Sequence, residues 1–134
     1  METRYEYFAA EDDTAATAML STDWEQPTYC GELPVTELDD LESLLTGRSI
    51  AEIAADPRHG AQVAELVDED ADVTEGGVVA VTDSLTRALA TADAATLAEV
   101  GADWHDEAEV QGLAAVARQA IQRGHHVYCF FWYL

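Results

Sequence analysis

The densest set of groups able to do chemistry is His105, Asp106, Glu107 and Glu109, beside Trp104. On a helix, His105 and Glu109 stand four residues apart and share a face. An imidazole and a carboxylate placed so could hold a divalent ion if His59, His125 or His126 supplied the remaining ligands. The same acids have a plainer use. Asp106 suits a helix N-cap, accepting from the amide of Glu109 while Glu109 reaches back, and Glu107 and Glu109 then sit at the positive end of the helix dipole. That use accounts for them without a metal, so no metal or cofactor is assigned. What remains is a ligand-binding cleft near Trp24, Trp104 and His105, where two indoles could supply apolar walls and an imidazole a polar contact.

Other reactive residue types lack partners. His125 and His126 are adjacent, so in a strand they point to opposite faces and cannot chelate one ion together. No Gly-x-Ser-x-Gly elbow is present, and no catalytic residue is assigned. Cys30 and Cys129 are too few for a disulfide framework, and Cys129 reads as a small buried hydrophobe. Gly76-Gly77 matches neither a phosphate-binding nor a dinucleotide fingerprint and reads as a turn. Asp68-Glu69-Asp70-Ala71-Asp72 has the acid density that Ca²⁺ favours but not the spacing of an EF-hand loop, and reads as a solvated loop.

Charge restricts the partners. Twenty-seven acids face six bases, all arginine, for a net charge of -21. Such a chain repels nucleic-acid backbones and anionic membranes, so neither is an expected partner. A basic protein is the expected partner; an adaptive acidic surface competes with it, and mimicry of DNA is the weakest reading because the acids are spread along the chain. Arg48 and Arg58 flank the segment Ser49–Asp56 and are expected to neutralise nearby acids. No run of eighteen apolar residues suggests a membrane span, and Met-Glu-Thr-Arg-Tyr-Glu lacks the order of a signal peptide. The expected setting is the cytoplasm.

The elements that must position these groups follow from periodicity. Val110, Leu113, Ala114, Ala117 and Ile121 form one apolar helical stripe, closed by Gly124. His125 to Leu134 then reads as a strand apolar on both faces, Val127, Cys129, Phe131 and Tyr133 on one and Tyr128, Phe130, Trp132 and Leu134 on the other, which demands a central place in a sheet. Earlier come a strand at Arg4–Ala10, a short helix at Thr14–Leu20, and an irregular stretch with a strand near Thr28–Glu32. Thr36 caps a helix over Glu37–Thr46 that Gly47 ends, and Ser49-Ile50-Ala51-Glu52 is a capping box. Ala61–Val67 fits strand or helix, Val78–Val81 a short strand, Thr82 or Asp83 caps one helix, and Asp93 caps Ala94–Val100. The expected fold is a single α+β domain over residues 1–134: a small mixed sheet, four to five helices, and the C-terminal strand central.

Taken in this order, Tyr5-Glu6-Tyr7-Phe8, Leu44-Leu45-Thr46-Gly47, Val81-Thr82-Asp83-Ser84-Leu85, and Trp104 with the closing helix and strand resemble the YfbM-like bacterial proteins of unknown function. The chain is also similar to small uncharacterised actinobacterial proteins in Arg123-Gly124 and Tyr128-Cys129-Phe130. The resemblance implies an α+β fold and transfers no active site. The balance is against an enzyme. The leading expectation is a non-enzymatic module that caps a basic partner, as immunity and antitoxin proteins do. A small-ligand-binding or metal-assisted enzyme with a cleft near Trp104 and His105 is the alternative, and a domain with purely adaptive acidity is the third.

Overall fold

The computed structural model describes residues 3–18, 28–31, 34–68, 73–104 and 107–133. Five strands, β1 (Thr3–Ala10), β2 (Tyr29–Gly31), β3 (Gln62–Asp68), β4 (Val73–Ala80) and β5 (His126–Tyr133), form one sheet in the order β2-β1-β5-β4-β3. β5 is central, as its two apolar faces require. β1 runs along it from Thr3 opposite Tyr133 to Ala10 opposite His126, and β4 flanks its other side from Gly76 opposite Trp132 to Ala80 opposite Tyr128.

The pairs are all antiparallel, where a mixed sheet was expected. The chain leaves β4 at Ala80 and re-enters at His126, and the amide of Val81 donates to the carbonyl of Val127 at 3.1 Å. The intervening helices thus begin and end at the same end of the sheet. A parallel pair would need a crossover to the opposite end.

Six α-helices are described, more than the four to five expected: α1 (Asp13–Ala18), α2 (Asp39–Thr46), α3 (Ile50–Ala54), α4 (Asp83–Thr91), α5 (Ala94–Trp104) and α6 (Glu107–Arg123). Their starts follow side-chain chemistry. Ser49 Oγ accepts from the Glu52 amide and Glu52 accepts from the Ser49 amide, completing the capping box. Thr82 accepts from the Leu85 amide, Asp93 from that of Thr96 at 2.7 Å, and Asp12 from that of Ala15 at 2.8 Å. Thr36 does not cap α2. It lies inside a 3-10 turn, Val35–Leu38, which follows Pro34 without a side-chain cap. Gly47 (φ 75°) and Gly124 (φ 68°) close α2 and α6 in the left-handed conformation.

The core has two layers. On one face of the sheet, Tyr7, Ala9, Val127 and Cys129 pack under α2, α4, α5 and α6; on the other, Phe8, Ala10, Val78, Ala80 and Tyr128 pack with Ala16 of α1. Val110, Leu113, Ala114 and Ala117 are buried as their spacing requires, but Ile121 is 43% exposed. The stripe continues through Ala120, and Ile121 stands about 100° further round the helix. Glu109, placed in the first turn of α6 as its dipole role requires, is 4% exposed, and its Oε1 lies 2.8 Å from where a Cβ on Gly31 would stand.

Gly76 and Gly77 are not a turn. They sit inside β4, which begins at Val73 rather than Val78. A Cβ on Gly76 would lie 2.1 Å from the carbonyl oxygen of Phe131, and one on Gly77 would lie 2.6 Å from that of Ala64. The glycines are needed because backbones approach from both sides.

Gly112 plays the corresponding part in α6. A Cβ there would stand 2.2 Å from Cδ2 of Tyr29, whose ring lies against the helix. Alanine normally stabilises a helix over glycine by about 1 kcal/mol. Here Gly112→Ala is expected to reverse that sign and lower stability by about 1–3 kcal/mol through overpacking, read as a lower midpoint in urea. A raised midpoint would show that Tyr29 yields without cost.

Candidate functional site

Alternation along β1, β4 and β5 sends Thr3, Tyr5, Val79, Cys129, Phe131 and Tyr133 toward the helix-covered face of the sheet. Together with Pro34, Val35, Thr36 and Gly60 they line a cleft of about 230 Å³. The cleft lies beyond the Cys129 side of the main core, toward the end of the sheet where Thr3 pairs with Tyr133. The rings of Phe131 and Tyr133 meet edge to face at 5.9 Å, and Phe131 lies over the missing side chain of Gly77. Among the described residues, the lining carries hydroxyls and one thiol but no carboxylate, imidazole or guanidinium.

The one thiol and the phenol of Tyr5 are both held in their neutral forms. Burial pushes the Cys129 thiol well above its usual range, so at neutral pH it stays protonated and is a poor nucleophile. Burial also raises the phenol of Tyr5, and the charge of Glu37 adds to the effect. Both groups enter the neutral range as weak hydrogen-bonding surfaces.

Two clusters of charged groups, around Arg48 and Arg58, are held within the fold. Glu42, almost fully buried in α2, accepts from Arg48 Nη1 at 3.0 Å, from Ser84 Oγ at 2.7 Å and from the Thr82 hydroxyl. Arg48 also reaches Asp56 at 3.4 Å. The set ties α2, α3 and α4, and a buried carboxylate satisfied this fully is structural. Arg58 lies 3.8 Å from Asp13 and 3.6 Å from Asp83, with its guanidinium 5.4 Å from the centre of the Tyr128 ring. Tyr128 donates to Asp13 at 2.8 Å, and His126 Nδ1 meets Asp83 at 2.8 Å. Both arginines therefore neutralise acids, as expected of them.

Trp104, at the end of α5, is half-buried against the main core and does not line the cleft. Trp24 and His105 lie outside the described residues, as do Asp106 and residues 69–72 of the acidic loop. His59 Nε2 sits 2.7 Å from Asp39, and His125 closes α6 through its amide, which donates to the Ala120 carbonyl at 2.8 Å. Among the described residues, no group of three or more His, Cys, Asp or Glu side chains could hold a metal ion. No described helix is long and apolar enough to cross a membrane. Cys30 and Cys129 are both free, the first exposed and the second buried. The cleft residues were missed in sequence because each is an ordinary strand or loop residue; the alternation Thr3, Tyr5 and Phe131, Tyr133 was the one available signal.

No protein-family model, curated protein or solved structure matches the chain.

The raised thiol and phenols set an alkaline limit. Burial raises Cys129 from an ordinary 9 and raises Tyr7 and Tyr128 from an ordinary 10, Tyr128 to about 12. Above these ordinary values the unfolded chain has released protons that the folded chain still holds. Their contribution to stability is therefore complete below pH 9 and declines as pH rises toward the folded values. Urea midpoints measured from pH 7 to 12 should fall above about pH 9, and Tyr128→Phe should flatten the part between 10 and 12. A flat profile would contradict the burial of these groups. Thiol titration offers a separate check: Cys30 should react in the native protein, more slowly than a free thiol because burial and Glu6 raise its pKa. Cys129 should react only in denaturant.

Proposed function

We propose that this chain is a non-enzymatic interaction module that binds a basic protein, in the manner of an immunity protein or antitoxin capping a cationic toxin. The charge carries the reading. The chain has a net charge of -21 with only six arginines, and two of these, Arg48 and Arg58, face carboxylates within the fold. Exposed acids come from several elements, among them Glu11, Asp40, Glu52, Glu75, Glu99 and Glu107. A field of one sign raises encounter rates with an opposite charge by about 10–10³-fold. It also disfavours phosphate backbones and anionic membranes. The cleft, with no acid–base pair in its lining, supports binding over catalysis. A cytoplasmic setting belongs to the same proposal and suits two free cysteines. Kinship with the YfbM-like proteins rests on short segments such as Leu44-Leu45-Thr46-Gly47 and adds no active site.

The test is capture of binding proteins from the source lysate at moderate salt, followed by purification of the captured protein and calorimetric titration. A basic partner should bind in a defined ratio and lose at least about tenfold in affinity as ionic strength rises from low to several hundred millimolar, since screening shortens the reach of surface charge. Binding indifferent to salt would contradict the reading. Failure of every basic partner, with a melting temperature that climbs steeply with salt, would assign the acidity to adaptation instead.

A further inference from the structure

The apolar cleft and the acidic surface meet at Glu37. Resting on the proposal of a basic partner, we propose that the cleft is where that partner is read. It takes one aromatic or branched apolar side chain from an exposed segment, and that segment's flanking arginines or lysines lie against Glu37 and the acids opening α2.

Size favours a single side chain. An apolar cavity of about 150 Å³ accepts benzene, whereas sites for cofactors and drug-sized ligands occupy about 300–1,000 Å³. At about 230 Å³ the cleft has room for an aromatic ring and falls short of that range. Its walls suit such a guest: Phe131 and Tyr133 present aromatic surface, Val35 and Val79 aliphatic surface, and Cys129 a protonated thiol. The hydroxyls of Thr3, Tyr5, Thr36 and Tyr133 can meet the polar backbone of the docking segment.

Charge selects what flanks the guest. Glu37 is exposed and directly follows the cleft residue Thr36 in the same 3-10 turn. After the buried Leu38 come Asp39 and Asp40 at the start of α2, Asp40 exposed and Asp39 against His59. Arg4, between Thr3 and Tyr5 in sequence, leaves the opposite face of the sheet and does not offset these acids. An acidic segment is repelled here and a cationic one is held.

The experiment uses three short peptides against the full chain, followed by amide chemical shifts and fluorescence polarisation. The first has a phenylalanine flanked on each side by two arginines, the second replaces the phenylalanine with glycine, and the third keeps it between glycines. The first should bind about tenfold more tightly than the second, the value of burying one aromatic ring, with shifts concentrated at Tyr5, Val79 and Phe131. Two exposed positions serve for substitution without touching the core. Thr36→Trp should fill the cleft and erase the difference between the first two peptides. Glu37→Arg should weaken the first peptide severalfold and leave the third unchanged.

Equal binding of the first two peptides, with shifts scattered over the acidic surface, would overturn the inference while leaving a charge-driven partner intact. Equal binding of the first and third would also overturn it, making the cleft a site for a neutral apolar ligand. Binding by none of the three would remove the cleft as a reading site, whatever the lysate capture finds. Concentration-dependent dimerisation abolished by Thr36→Trp would assign the cleft to a second copy of the chain, again against the inference.

Discussion

The fold depends on enclosing β5: Val127, Tyr128 and Cys129 are buried and Phe130, Phe131 and Trp132 half-buried. A strand with Val127, Cys129 and Phe131 on one side and Tyr128, Phe130 and Trp132 on the other has no solvent-compatible face. Each of these large side chains loses about 1.5–3 kcal/mol if left in water. The sheet answers by placing β1 and β4 along its two edges and packing α2, α4, α5 and α6 above it. The glycines of β4 serve the same end, since Gly76 lets the backbone of β5 approach and Gly77 leaves space under Phe131. The exposed edges fall to strands poorly suited to recruit another chain. β2 is three residues long, and the pairing of β3 shifts register at Gln62/Ala64 and again at Leu66/Val67.

What could be read from the sequence were features set by local chemistry or by a long period. The Ser49 capping box, the Thr82 and Asp93 caps, the stripe of α6 up to Ala117 and the two faces of β5 follow from residues a few positions apart. Features set by distant neighbours could not be read. Gly76-Gly77 looks like a turn until the backbones of Phe131 and Ala64 are placed beside it. The burial of Glu109 beside Gly31 of β2 is of this kind. Ala61–Val67, balanced between helix and strand in composition, becomes largely β3 because it pairs with β4. The cleft is of this second kind, since its lining comes from β1, β4, β5, the Pro34–Thr36 stretch and Gly60, segments far apart in the chain. The sequence candidates Trp24, Trp104 and His105 rest on residue type; Trp104 is half-buried against the main core, and Trp24 and His105 lie outside the described residues.

A chain of this charge must spend its few cations carefully. Arg48 is placed where α2, α3 and α4 converge on Glu42, and Arg58 where α1 and α4 approach Tyr128 of β5. Each relieves repulsion where acids from different elements come closest. The cleft, by contrast, is electrically neutral in its lining among the described residues, with the exposed Glu37 next to Thr36. In the proposed mode of binding, that division lets apolar recognition and electrostatic attraction act on one segment without a charge being buried.

The pairing of β1 with β5 also governs how the molecule must assemble. Thr3 lies opposite Tyr133, and the central strand can be enclosed only by joining stretches from nearly opposite ends of the sequence. Contacts of that span carry a large loop-closure cost before they return any stability, and proteins rich in them fold slowly. Until β5 arrives, β1 and β4 have no neighbour between them and the aromatic strand itself is uncovered. Dense negative charge gives such a waiting chain one protection, because copies that repel one another are slow to aggregate.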